Sequence, residues 1–87
     1  MTSEPLLLVG KPRCHLCEVM REVVSPVAAE LGLALAERDV RSDPELDALY
    51  RNDIPVLLLG GREVARHRVS AADLRTRLRA MRSRSPY

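Results

Sequence analysis

The chain has 87 residues, 46% of them apolar, and its 14 basic and 12 acidic side chains leave a formal net charge of +2. That length supports one domain, residues 1–87, with a small aliphatic core, and the near-balance of charge excludes the basic footprint of a nucleic-acid binder. Two Tyr, no Phe and no Trp also exclude the aromatic platforms on which bases stack.

The opening residues Met1-Thr2-Ser3-Glu4-Pro5 contain no basic leader. The apolar run Leu6-Leu7-Leu8-Val9 is too short for a signal sequence or a membrane span. A cytoplasmic protein with no membrane partner is expected. Leu6 to Val9, ended by Gly10-Lys11-Pro12, suits a short strand buried on both faces. After Cys14-His15-Leu16-Cys17 a helical pattern begins. Leu16, Val19, Met20, Val23, Val27 and Leu31 recur at three- and four-residue spacing, and Gly32 marks the stop. Pro26 lies inside this pattern and is expected to kink or split the helix, because it removes a hydrogen bond.

Leu33 to Val40 alternates at Leu33, Leu35 and Glu37, as a second strand does. Ser42-Asp43-Pro44-Glu45 starts a helix, with Asp43 as cap and Pro44 at the first position. Leu46, Leu49 and Tyr50 form the expected buried side of that helix, and Arg51-Asn52-Asp53 breaks it. Ile54-Pro55-Val56-Leu57-Leu58-Leu59 reads as a strand with its proline at the start. Gly60-Gly61 turns it into a returning arm from Arg62 to His67. Ser70-Ala71-Ala72-Asp73 resembles a capping box ahead of a last helix carrying Leu74, Leu78 and Met81. Residues 83–87 are expected to fray. The order is β-α-β-α-β-β-α: an α/β fold whose four-stranded mixed sheet is flanked by helices, with a parallel first pair of strands.

Two Cys are too few to staple a secreted mini-domain, and they stand too close in sequence to close a useful loop. Their Cys-x-x-Cys spacing at a helix start suits thiol–disulfide exchange. The first thiol sits where free backbone N–H groups and the helix dipole favour a thiolate, and the second lies one turn in. Cys14 is assigned as nucleophile and Cys17 as resolving thiol. Lys11, Arg13 and protonated His15 place positive charge near Cys14 and are expected to lower its pKa. His15 is further expected to stabilise the dithiol, making the disulfide more oxidising. A zinc site needs four ligands, and His15 and His67 are the only histidines. The haem-attachment motif needs His where Glu18 stands. No metal is assigned.

Taken together, Leu6-Leu7-Leu8-Val9, Lys11, Cys14-His15-Leu16-Cys17, Asp43-Pro44-Glu45-Leu46 and Ile54-Pro55-Val56-Leu57 resemble the glutaredoxin branch of the thioredoxin superfamily. More narrowly, they resemble its small bacterial members whose active site reads CHLC. The resemblance covers nearly the whole chain. It implies a thioredoxin-like fold and a cis Ile54-Pro55 bond beside the disulfide. It also implies that Ile54 and Pro55 offer backbone to an extended substrate. There are departures. Arg13 replaces the Trp of thioredoxins, and His15-Leu16 replaces the Pro-Tyr of common dithiol glutaredoxins. Asp53-Ile54-Pro55 stands for Thr-Val-Pro. His67-Arg68-Val69-Ser70 stands where glutathione-using members carry Gly-Gly.

Among the remaining residues, Arg75, Arg77, Arg79, Arg82 and Arg84 read as a solvated basic helix face. His67 reads as an edge-strand residue, Tyr50 as a core or site wall, and Glu18 as a first-turn acid. The functional expectation is a monomeric glutaredoxin-like thiol–disulfide oxidoreductase. It acts on a disulfide-containing protein or small molecule, needs no cofactor, and has glutathione as a candidate co-substrate. Two other readings stay open. One is a redox-inert adaptor on the same fold. The other is a metal or iron–sulfur carrier that borrows ligands from glutathione and a second subunit.

Overall fold

The computed structural model describes residues 5–83, so residues 84–87 of the expected frayed tail lie outside the described residues, and Ser83 closes the last helix. Along the chain run β1 (Leu6–Gly10), α1 (His15–Glu30), β2 (Leu35–Asp39), a single 3-10 turn (Val40–Ser42), α2 (Pro44–Tyr50), β3 (Val56–Leu59), β4 (Arg62–Arg66) and α3 (Ala71–Ser83). The strands form one sheet in the order β2-β1-β3-β4. β1 is parallel to β2 and antiparallel to β3, and β3 is antiparallel to β4. Among the described residues no helix is long and apolar enough to cross a membrane.

Strand alternation divides the core between the two faces of the sheet. Leu6, Leu8 and Leu57 bury with Met20, Val24, Val27 and Ala28 of α1 and with Leu74 and Leu78 of α3. Val9, Val56 and Leu58 point the other way, onto Val40, Leu46, Tyr50 and Ile54. Val64 and Ala65 are consecutive, yet both belong to the first cluster. The β3–β4 register shifts between Leu57 and Leu58, and this bulge breaks the alternation.

α1 ends as its sequence foretells. Gly32, at φ 70°, lets its own N–H reach the Ala29 carbonyl at 3.2 Å and the Leu33 N–H reach that of Ala28 at 2.8 Å. Leu33 and Val40 were expected at the two ends of a strand. They flank β2 instead, both buried, Leu33 in the helix-to-strand connection and Val40 in the 3-10 turn. Pro26 does not split α1. It stands on the exposed side, between Val24 and Val27, whose packing holds the helix on both sides of the missing bond. Asp43 caps α2 by accepting the N–H of Glu45 at 2.9 Å, and Ser70 Oγ accepts that of Asp73 at 3.1 Å.

Two expectations need correction. Leu49 is 64% exposed, because in so short a helix Leu46 and Tyr50, four apart, take the inner face and Leu49 falls beside it. The arginines of α3 are more than a solvated face. Arg75 pairs with Glu30 at 2.9 Å, Arg82 donates to the Leu31 carbonyl at 3.0 Å, and Arg77 donates to the Val64 carbonyl at 3.0 Å. They tie α3 to the end of α1 and to β4. Arg84 lies outside the described residues.

This packing sets two expectations for stability. Leu74→Ala empties a fully buried site and should cost about 2–5 kcal/mol. Leu49→Ala should stay within about 0.5 kcal/mol. Denaturant unfolding of the two variants measures the contrast, and equal losses would contradict the assigned core. The second expectation concerns acid. Arg41 donates to Asp39 through its guanidinium and its backbone N–H, holding the carboxyl at about 2 against an ordinary 3.8. A carboxyl depressed in the folded state contributes stability that is present above its unfolded value and lost as pH falls through the folded one. Asp39→Asn should therefore flatten the fall in stability between about pH 4 and pH 2, read by unfolding at a series of pH values.

Candidate active site

β1 runs out at Gly10, and the chain turns through Lys11, Pro12 and Arg13 into α1. Arg13 adopts φ 60°, a left-handed conformation that costs a residue with a Cβ about 1 kcal/mol, and Cys14 follows in extended conformation as the helix N-cap. Its sulfur takes the place of the usual capping oxygen and accepts the backbone N–H of Cys17 at 3.2 Å. The Cys14 carbonyl accepts the N–H of Glu18 at 3.1 Å, the first turn of the helix. Cys14 and Cys17 are joined by a disulfide, with their Cα atoms 5.2 Å apart.

The two sulfurs have different surroundings. Cys14 is half-buried, whereas Cys17 is only 3% exposed. Cys17 reaches that position because Gly10 has no side chain. A Cβ on Gly10 would stand 2.9 Å from Cys17 Sγ and 3.2 Å from its Cβ, too close for either to remain in place. Gly10 was read from the sequence only as the end of a strand. The signal that could have marked it is its position four residues before the first cysteine of a strand–turn–helix motif.

The Ile54–Pro55 peptide is cis, as the resemblance implied. Pro55 is buried and directly precedes Val56, which pairs with Val9, so the cis bond lies at the same end of the sheet as Gly10 and the cysteine turn. The Pro55 carbonyl accepts the N–H of His67 at 2.7 Å. Ile54 takes no backbone hydrogen bond from a described residue outside the regular elements. His67 itself follows β4 at φ 67°, its Nε2 3.8 Å from the Asp53 carboxylate, which also meets Arg66 at 3.3 Å.

Lys11, Arg13 and His15 are exposed around this turn, and none has a carboxylate within ion-pair distance among the described residues. Lys11 borders a groove of about 240 Å³ on the Cys17 side, toward β2. Charged side chains line part of that groove: Arg21 and Glu37 meet across it at 2.8 Å, and Arg38 and Asp39 stand on its wall. His15 borders a second opening of about 500 Å³ on the other side of α1. There Leu16, Val19 and Val69 supply an apolar floor, and Arg68, Ser70 and Asp73 supply the rim. The structure thus gathers Cys14, Cys17, Lys11, Arg13 and His15 about one helix end, with the Ile54–Pro55 bond at the same end of the sheet. In the sequence, Val69 and Arg68 stand out only as departures from a family pattern. Their meeting with Leu16 depends on how α3 docks. Among the described residues no group of three His, Cys, Asp or Glu side chains is placed to hold a metal ion.

The fold is shared with known structures. The chain is similar to a structural-genomics target protein of X. campestris, with 30% identity and a TM-score of 0.73 over 86% of this chain and 96% of that one. It is similar in fold to a Nitrosomonas europaea protein solved by solution NMR, with 21% identity and a TM-score of 0.70 over 85% and 89% of the two chains. Thioredoxin 1 of Thermosipho africanus shares the fold at 15% identity, with a TM-score of 0.66 over 91% and 94%. No curated protein sequence matches significantly. A family model described as glutaredoxin-like domain (DUF836) matches residues 5–79, and the chain belongs to that glutaredoxin-like family, on a thioredoxin-like fold.

Proposed function

We propose that this protein is a thiol–disulfide oxidoreductase in which Cys14 attacks and Cys17 resolves. The observation that carries the reading is the unequal setting of the two sulfurs: Cys14 caps α1 within reach of solvent, and Cys17 lies behind it against Gly10. In the reduced protein the Cys14 thiolate attacks one sulfur of a substrate disulfide. The S–S bond breaks, and the other substrate sulfur leaves as a thiolate that takes up a proton. The Cys17 thiol then loses its proton to solvent, and its sulfur attacks Cys14 in the mixed disulfide. This releases the second substrate thiol and leaves Cys14–Cys17 oxidised. Two electrons have passed to the substrate, and a second dithiol, or two molecules of glutathione, returns them. No metal ion or organic cofactor takes part.

Three features of the turn favour this chemistry. The Cys17 N–H aimed at Cys14 Sγ binds a thiolate more strongly than a thiol, because hydrogen bonds to charged acceptors are the stronger kind. The N-terminus of α1 adds its partial positive charge. Lys11 and Arg13 add full charges with His15 beside them, and none of the three has a described carboxylate within ion-pair distance. Ile54, with Pro55 fixed beside it, offers backbone groups to which an extended substrate segment adds as a strand. The substrate is a disulfide-containing protein or small molecule, and the protein works as a cytoplasmic monomer, where the redox poise supplies the dithiol form.

Cysteine substitutions test the assignment. Cys14→Ser should reduce hydroxyethyl disulfide no faster than buffer does. Cys17→Ser should accumulate a mixed disulfide on Cys14, seen as an added mass after alkylation of free thiols. Wild-type turnover by Cys14→Ser would refute the reading. Gly10→Ala separates the two steps. The new Cβ presses first on the Cys17 side chain, so resolution should slow about tenfold or more, and by more than attack does. Quenched-flow trapping of the mixed disulfide measures both rates in one experiment.

A further inference from the structure

When Cys14 is bonded to a substrate sulfur, the residues next to the substrate cysteine must lie within a few ångströms of the start of α1. On one side they meet the groove beside Cys17, whose walls carry Arg21, Glu37, Arg38 and Asp39. On the other they meet the opening floored by Leu16, Val19 and Val69. Leu16 and Val19 are three apart and share a face of α1, and Val69 comes from the segment between β4 and α3. All three are only partly buried, so apolar surface stays in water along the helical turn that follows Cys14. The rim carries Arg68 and Asp73, of opposite sign, with His15 beside them, and Ser70 Oγ there accepts the Asp73 N–H.

We propose that the Leu16–Val19–Val69 opening is a side-chain subsite that takes an aliphatic residue adjacent to the substrate's cysteine, making an apolar-flanked protein disulfide, and not glutathione disulfide, the preferred substrate. This rests on the oxidoreductase reading and adds the substrate class to it. Glutathione flanks its cysteine with a γ-glutamyl group and a glycine, neither of which brings an apolar side chain to the floor. A Leu side chain moved from water onto the three aliphatic residues gains the burial free energy that glutathione lacks. Covering that floor also removes water from around the reacting sulfurs.

The experiment is a single-turnover reaction of the reduced protein with excess disulfide, following Cys14–Cys17 oxidation by alkylation and mass, so that no recycling reductant is needed. The probes are the disulfide dimers of acetyl-Leu-Cys-Leu-amide and acetyl-Ser-Cys-Ser-amide, oxidised glutathione, and hydroxyethyl disulfide. Each rate is divided by that of the same disulfide with free dithiothreitol, which removes differences in intrinsic reactivity. The Leu-flanked dimer should react about tenfold faster than the Ser-flanked dimer or glutathione disulfide, the scale that apolar pockets provide. In Val69→Ser that Leu-to-Ser ratio should fall toward one. The ratio is read on Val69→Ser protein that keeps the wild-type circular dichroism spectrum, because an unfolded dithiol would also react without selection. Equal rates for the two peptides, a ratio unchanged in Val69→Ser, or glutathione disulfide as the fastest probe would overturn the subsite while leaving the redox site standing. No reaction with hydroxyethyl disulfide would overturn the oxidoreductase reading and the subsite with it.

Discussion

A thiol three residues into a helix can lie flat against the preceding strand only where that strand offers no side chain. Gly10 meets this condition for Cys17, and much of the site follows from it. With Cys17 against the strand, the first turn of α1 is drawn onto the end of β1, and the connection must be completed by Lys11, Pro12 and Arg13 alone. So short a turn forces one residue into the left-handed region, and Arg13 occupies it. The turn then delivers Cys14 to the N-cap, where its sulfur meets the Cys17 N–H. The close approach behind and the strained residue in front are thus two ends of the same constraint.

The sheet carries that constraint because its two faces are finished by different means. α1 and α3 cover one face, which holds most of the buried leucine and valine, and among the described residues the 3-10 turn, α2 and Ile54 meet the other. α3 has a strongly polar composition, and among its described side chains the two inward leucines are the fully buried ones. The contacts of Arg75, Arg77 and Arg82 supplement this by bonding outward to Glu30 and to two backbone carbonyls. Exposed ion pairs contribute little singly. Two of these three arginines bond instead to main-chain oxygens, at the end of α1 and on β4. Their effect is to set where α3 lies against α1, and thus the distance from Val69 to Leu16.

What the sequence made legible was the local chemistry. Asp43-Pro44, Ser70 with Asp73, Leu31-Gly32 and the Cys-x-x-Cys pair each act within four residues of themselves, and each was found where it was expected. The cis Ile54–Pro55 bond came from family resemblance, since even before proline the cis form is the minority state. Features that depend on distant partners were not legible. The bulge that turns both Val64 and Ala65 inward is a property of pairing with β3, and it leaves no mark in the spacing of β4 itself. Leu49 fits a helical pattern that a two-turn helix cannot bury entirely. Gly10 looked like punctuation, and its role appeared only once Cys17 was placed against it.

The position of the disulfide argues that it is not there to hold the fold together. A bond between residues three apart in sequence closes a very short loop, and on the chain-entropy scale that restrains the unfolded state by about 2 kcal/mol, against about 4.7 for a loop of 100 residues. A stabilising bridge belongs between distant elements, for example across the α1–α3 contact, where Glu30 and Arg75 already meet. This one lies within a helical turn that Cys14 caps and the Glu18 N–H already closes. One of its two cysteines is also only half-buried, which a purely structural bond has no need of. Position, short span and one-sided exposure together fit a bond that is made and broken.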